Sequence, residues 1–211
     1  MTFNVIRLVD TADETARDAL VERLGAEAAA SGARGVLVEP TLPGVRNGGD
    51  VLLHLRFDHR YDWEAVAHRV DGQLLAQPDV RRVNGATYHG SPVAGVGGTG
   101  GIYRTLLLRV APGTTAERVE QFEDDLRLLP RYVRSIHTWQ LSRVDEAVGT
   151  SLWTHVFEQE FTDFEDLMGP YLMHPIHWAH VDRWFDPECP EVIIRDRVCH
   201  SFCHNTTAVL A

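Results

Sequence analysis

From Phe3 to Val9, apolar and polar side chains alternate with the period of two that a strand requires. At Thr11-Ala12-Asp13-Glu14 the spacing becomes helical. Thr11 and Glu14 stand as the two ends of a capping box, and the helix they open carries Leu20, Val21 and Leu24 inward and ends near Gly32. A strand around Ala33 to Glu39 follows, then a turn-rich Pro40 to Asp50 with Asn47-Gly48-Gly49, then a strand from Val51 to Phe57. Asp62-Trp63-Glu64 begins a short helical region and Val80 to Tyr88 closes the unit. The order is β-α-β-β-α-β.

The same pattern then returns. Ile102 to Val110 reads as a strand, and Thr114-Thr115-Ala116-Glu117 is again a capping box, offset by 103 positions from the first. Its helix turns Val119, Phe122, Leu126 and Leu129 inward, and strands are expected at Tyr132 to Leu141 and Leu152 to Phe157. His155 follows His54 by 101 positions, as Asp163-Phe164-Glu165 follows Asp62-Trp63-Glu64, so the chain is an internal duplication with a period of about 100 residues. The closing strand, Val192 to Phe202, comes about 112 positions after its counterpart. The second copy therefore holds roughly eleven extra residues, in and just after His174-Pro175-Ile176-His177.

Between the copies, Gly95, Gly97 and Gly100 spell G-x-G-x-x-G, but a strand follows them where a dinucleotide fingerprint needs a helix, so the stretch reads as a linker. The expected organisation is an N-terminal repeat, 1–89, acting as scaffold, a Gly-rich linker, 90–101, and a C-terminal repeat, 102–211, carrying the candidate pocket. One four-stranded sheet with helices on a single side leaves its other face bare, and two such faces bury each other at the least cost in exposed apolar area. The expected fold class is α+β, with two ferredoxin-like repeats forming an intramolecular pseudo-dimeric α+β barrel. The chain is then a monomer with an internal pseudo-dimer, or a homodimer of such units.

The extra segment holds the candidate chemistry. Pro175 disfavours helix at the residue before it and suits a helix start, so one helix should end near Met173 and another begin at Pro175. Tyr171 and His177, six positions apart, can then face one cavity across the bend. Projection at 100° per residue places His177, Val181, Trp184, Phe185 and Trp178 on one side, with Ala179, Asp182 and Arg183 opposite. A histidine so close to a helix N-terminus favours its neutral form, which suits a general base. The same residue beside tryptophans is also compatible with an ordinary core histidine.

Twenty basic and thirty acidic residues give a net charge of −10 with no basic stripe, which disfavours nucleic acid and anionic membranes as partners. No apolar run reaches the roughly 18 residues of a membrane span, and the chain opens directly into a strand pattern, so a soluble cytoplasmic protein is expected. Three cysteines, Cys189, Cys199 and Cys203, suit a reducing compartment rather than a disulfide framework. His174, His177 and His180 recur every third residue, but Pro175 breaks the helix that would align them. In Cys199-His200-Ser201-Phe202-Cys203-His204 the cysteines and histidines alternate faces, so neither stretch is expected to hold a metal, and the second reads as a frayed strand end. No Gly-x-Ser-x-Gly elbow is present.

The strand with His155, the Asp163-Phe164-Glu165 helix start, Tyr171-x-x-His174-Pro175-x-His177 and the closing Val192-Ile193-Ile194-Arg195-Asp196 together resemble the stress-responsive α/β-barrel (Dabb) family. The resemblance implies ferredoxin-like units paired into a dimeric barrel. Members include stress proteins, a hydroxynitrile lyase and a polyketide cyclase that closes a ring by aldol condensation without a cofactor. Tyr171 and His177 match the tyrosine and histidine credited with that cyclisation, and His155 matches a further pocket histidine. Arg104 stands where the cyclase has a first-strand histidine, and could hold a carboxylate, phenolate or other anionic group. His174, Trp153 and Trp178 complete the expected substrate-binding set. The implied function is a cofactor-independent cyclase or lyase acting on a small polyketide-like or carbonyl substrate. The alternatives are a non-catalytic ligand-binding or stress protein and, third, a metal- or haem-dependent oxygenase.

Overall fold

The computed structural model describes residues 1–95, 100–195 and 198–210. The first repeat comprises β1 (Thr2–Thr11), α1 (Glu14–Ala29), β2 (Gly35–Pro40), β3 (Val51–Phe57), α2 (Arg60–Leu75) and β4 (Val80–Gly90). After β5 (Val93–Ala94) the second repeat runs β6 (Ile102–Leu108), α3 (Ala116–Tyr132), β7 (Ile136–Arg143), β8 (Glu146–Val148), β9 (His155–Phe161), α4 (Phe164–Asp166) and β10 (Cys199–His204). Between α4 and β10 the chain makes two π turns, Leu167–Tyr171 and His177–Val181, and a 3₁₀ turn, Asp182–Trp184. The strands form two five-stranded antiparallel sheets, β2-β3-β1-β4-β8 and β10-β6-β9-β7-β5.

Strand alternation sorts each sheet's side chains into two cores. In β1, Phe3, Val5 and Val9 pack with Leu20, Leu24 and Trp63 of α1 and α2, whereas Ile6 and Leu8 point the other way and meet Tyr103, Leu107 and Val156 of the opposite sheet. A third cluster, with Phe122, Leu126, Phe157 and Trp184, lies between the second sheet and α3. The two sheets thus bury their helix-free faces against each other, as the bare-face argument requires. Each half also lends an edge strand to the other. β8 of the second repeat pairs with β4, Ala147 opposite Ala86, and β5 pairs with β7, Val93 opposite Trp139. Part of the expected linker is therefore strand; Gly97 of its glycine pattern lies outside the described residues.

Several boundaries differ from expectation. Asp13, not Thr11, caps α1: its carboxylate accepts from Ala16 N at 2.9 Å, while β1 continues through Thr11, whose amide donates to Asp50. Thr115 rather than Thr114 caps α3 in the same way. The region opened by Asp62 is a helix of 16 residues. The closing strand begins only at Cys199. Before it, the amides of Ile193 and Ile194 donate to Trp184 O, which holds that stretch against the 3₁₀ turn instead of a strand. Nor is Cys199–His204 a frayed end: it pairs with β6 over its length and is flanked by bridges to Thr41 and Arg46 of the first repeat. The cysteines are free thiols. Beyond it, Val209 and Leu210 are buried against the inter-sheet core. Among the described residues no helix is long and apolar enough to cross a membrane.

Candidate functional site

Pro170 lies inside the first π turn and Pro175 opens the next helical segment, so the chain bends sharply over residues 172–174. Two short bonds secure the bend: Ile176 N donates to His174 Nδ1 (3.2 Å) and Trp178 Nε1 donates to Leu172 O (2.9 Å). Across it, the buried Tyr171 ring stands edge-on to His177 with centroids 5.2 Å apart, and edge-on to Phe161 of β9 at 5.1 Å. The two rings share a cavity of about 420 Å³ between the second sheet and the bent segment. Arg104 of β6, His200 of β10, Asp182, and Arg46 and Asn47 of the first repeat complete its polar lining; Leu106, Leu126 and Phe185 supply apolar walls.

Burial and charge set the ionisation of this group. His177 Nδ1 lies 3.0 Å from Asp182 Oδ1, off the axis of a good hydrogen bond. Burial holds the His177 pKa below its ordinary value; Asp182 pulls it partly back and Arg104 opposes that. The Tyr171 phenol is pushed up by burial and eased by Arg104, whose guanidinium carbon sits 4.8 Å from the Tyr171 ring centroid. Arg104 Nε donates to His200 Nε2 at 2.9 Å, and its Nη1 donates to Gln159 Oε1. His200 is consequently the neutral acceptor tautomer, and burial together with the Arg104 and Arg46 charges drives its pKa down to about 2. Two neutral imidazoles, a phenol and a buried guanidinium therefore converge on one hollow.

Of the residues singled out in the sequence, Tyr171, His177 and Arg104 meet in this cavity, and four stay out of its lining. His155, at the start of β9, is buried against the edge of Phe122 and points Nε2 at Glu123 of α3 (3.1 Å), where Arg143 also pairs. It belongs to the joint between α3 and the sheet. Trp153 is buried between the two sheets and donates to Val148 O. His174 sits at the bend, and Trp178 is 55% exposed on its outer side. The α-helical projection does not hold over this segment, because π turns are wider than α turns and advance each residue by a smaller angle. For the same reason Asp182, projected outward, comes round to His177.

His200, Asp182, Arg46 and Asn47 were not recognised as pocket residues. Alternation along Cys199 to His204 separates His200 from the cysteines, but only the pairing of β10 with β6 brings it to Arg104. Arg46 and Asn47 reach the site because the loop after β2 lies along β10, where Arg46 bridges His200 and Asn47 Nδ2 donates to Val198 O (3.1 Å). Among the described residues no group of three or more His, Cys, Asp or Glu side chains is placed to hold a metal ion.

Two antiparallel sheets face to face, each backed by helices, with a polar pocket under the bent segment of one half, define a dimeric α+β barrel whose halves are joined in a single chain. Residues 102–199 match the model of the stress responsive A/B barrel domain, Dabb, which covers the second repeat. Solved structures share the architecture at low identity. An anthrone oxidase-like protein aligns with a TM-score of 0.72 at 11% identity, covering 96% of this chain and 90% of its own. A candidate monooxygenase from Lactobacillus acidophilus aligns at 0.59 and 9% identity, covering 100% and 97%. A chlorite dismutase variant from Candidatus Nitrospira defluvii aligns at 0.56 and 10%, covering 95% and 90%. No curated protein matches the chain in sequence.

Proposed function

We propose that this protein is a cofactor-independent cyclase or lyase that handles a small polyketide-like or carbonyl compound in the cavity of its second repeat. The observation that carries this is the Tyr171–His177 pair, rings 5.2 Å apart across the bend, with His177 depressed toward its neutral form by burial. With Nδ1 only 3.0 Å from Asp182 Oδ1, a proton on Nδ1 is favoured, which would leave Nε2 as the basic nitrogen. His177 would remove a proton from the carbon next to a carbonyl, and the Tyr171 hydroxyl would donate to the enolate oxygen that forms. For ring closure the carbanion bonds to a second carbonyl carbon, and the alkoxide so made takes the proton back from His177. Among structural neighbours, an anthrone oxidase-like protein and a candidate monooxygenase are in keeping with a small-molecule pocket, and their likeness extends to the fold alone.

The test is to incubate linear di- and triketones with the protein and to analyse products by mass. Each of His177→Gln and Tyr171→Phe should lower turnover by about 10²-fold while the folded spectrum is retained. Wild-type turnover in both variants would remove the assignment, whereas binding without any product would favour a ligand-binding role for the same pocket.

A further inference from the structure

Arg104 is a buried cation whose partners among the described residues are all neutral. The residue is 3% exposed, and its contacts are the imidazole of His200, the amide oxygen of Gln159 and the face of Tyr171. Among the described residues no carboxylate forms an ion pair with it, whereas the other buried arginine of a first strand, Arg7, is held by both oxygens of Asp71. The missing counter-charge follows from strand phase. In β9, Gln159 lies between Glu158 and Glu160, and both glutamates point to the inter-sheet side, where Glu158 accepts from Tyr103 and Gln140 and Glu160 accepts from Leu210 N. The position that faces the guanidinium carries the amide. Withdrawing a guanidinium from water without an opposite charge is unfavourable, and the usual remedy is an anion close by. Arg46, exposed and likewise without a carboxylate partner among the described residues, brings a second positive charge to the same cavity from the first repeat. Among the described residues the cavity's one carboxylate, Asp182, stands at His177.

We infer that the pocket is built for an organic anion, a small acid bearing a carboxylate or phenolate, which Arg104 of the second repeat and Arg46 of the first grip together. The anion supplies the charge that the strand withholds. Its apolar body lies against Leu106, Leu126 and Phe185, and its reacting carbon lies toward Tyr171 and His177. This deepens the catalytic assignment above, on which the placement of the reacting carbon rests; the anion site itself stands without it.

Calorimetric titration of the full chain with benzoate, salicylate and 4-oxopentanoate, each against its own amide and against inorganic phosphate, tests the inference. The acid should bind about tenfold or more tightly than its amide in the wild type. Arg104→Gln should abolish that preference, Arg104→Lys should keep part of it, and Arg46→Gln should weaken it by a few fold in a salt-dependent way. Equal binding of acids and amides, binding of phosphate but no organic acid, no binding of any probe at millimolar concentration, or an unchanged preference in Arg104→Gln would each overturn the inference. His177→Gln should keep the preference for acids, so a failed catalytic role and a failed anion site give different results.

Discussion

Arg104 Nε donates to His200 Nε2 at 2.9 Å across β6 and β10, and this diagonal pair joins the pocket's buried charge to the last strand of the fold. Replacing His200 with Leu leaves that N–H buried without an acceptor, and unfolding in denaturant should show a loss of about 1–3 kcal/mol. His200→Gln, which keeps an acceptor, should recover most of it. Equal midpoints for both variants would mean that the contact contributes nothing.

His177 is held below its ordinary pKa by burial, so the neutral base is present from below pH 6.5 upward. The acid limb of kcat/KM should therefore fall on the acid side of 6.5. Asp182 raises this pKa, so Asp182→Asn should move the limb further toward acid, and the His177 ring-proton signals in an NMR titration should follow. A limb that moves to higher pH in this variant would contradict the pairing.

Between the sheets, Glu158 accepts from Tyr103 (2.6 Å) and Gln140 (3.0 Å) and lies 3.3 Å from His54, and burial raises its pKa from 4.5 to about 7. A carboxyl that holds its proton longer in the folded state favours folding below pH 4.5, and that stability is lost as pH rises from 4.5 to about 7. His54 has the opposite sign. Its pKa is lowered by burial from 6.5 to about 3, so the unfolded chain gains a proton first and stability falls as pH drops from 6.5 toward 3. Denaturation midpoints measured across pH should lose their neutral-side slope in Glu158→Gln and part of their acid-side slope in His54→Gln.

Gly48 holds the first-repeat loop against β10. A Cβ there would come within 2.5 Å of His200 O and 2.9 Å of Ser201 Cα, both backbone atoms that cannot turn aside. Gly48→Ala should push the loop away and break the bonds from Ser201 Oγ to Gly48 O and from Asn47 to Val198 O. The expected cost is about 1–3 kcal/mol in denaturant unfolding. Arg46 should retreat with the loop, so benzoate affinity should drop in the same variant; unchanged stability and affinity would show that the loop is not held this way.

Much of the frame was legible along the chain. Two strand-helix-strand units at a period of about 100 residues, the inward faces of α1 and α3, and the bend at Pro175 all follow from side-chain period and from steric limits on the backbone next to proline. These constraints act over a few residues, so a few residues suffice to read them. The bare sheet face, an area argument, extended them to the paired architecture.

Tertiary packing decided the rest. Which strands exchange edges, how far β10 is displaced from Ile193 and Ile194, and how the π turn brings Asp182 round to His177 depend on contacts between segments remote in sequence. His155 and Trp153 carry the right chemistry for a pocket, yet they fall on Glu123 and Val148, because α3 packs its Glu123 over the start of β9 and the loop before β9 turns Trp153 in between the sheets. Arg46 and His200 meet only once the first repeat's loop lies along the second repeat's last strand. The sequence by itself therefore determined the duplicated units and the aromatic-imidazole bend, since these answer to backbone sterics and periodicity. Only the folded chain could decide which charges surround that bend, since charge assembly across two halves is settled by the joint burial of both sheets.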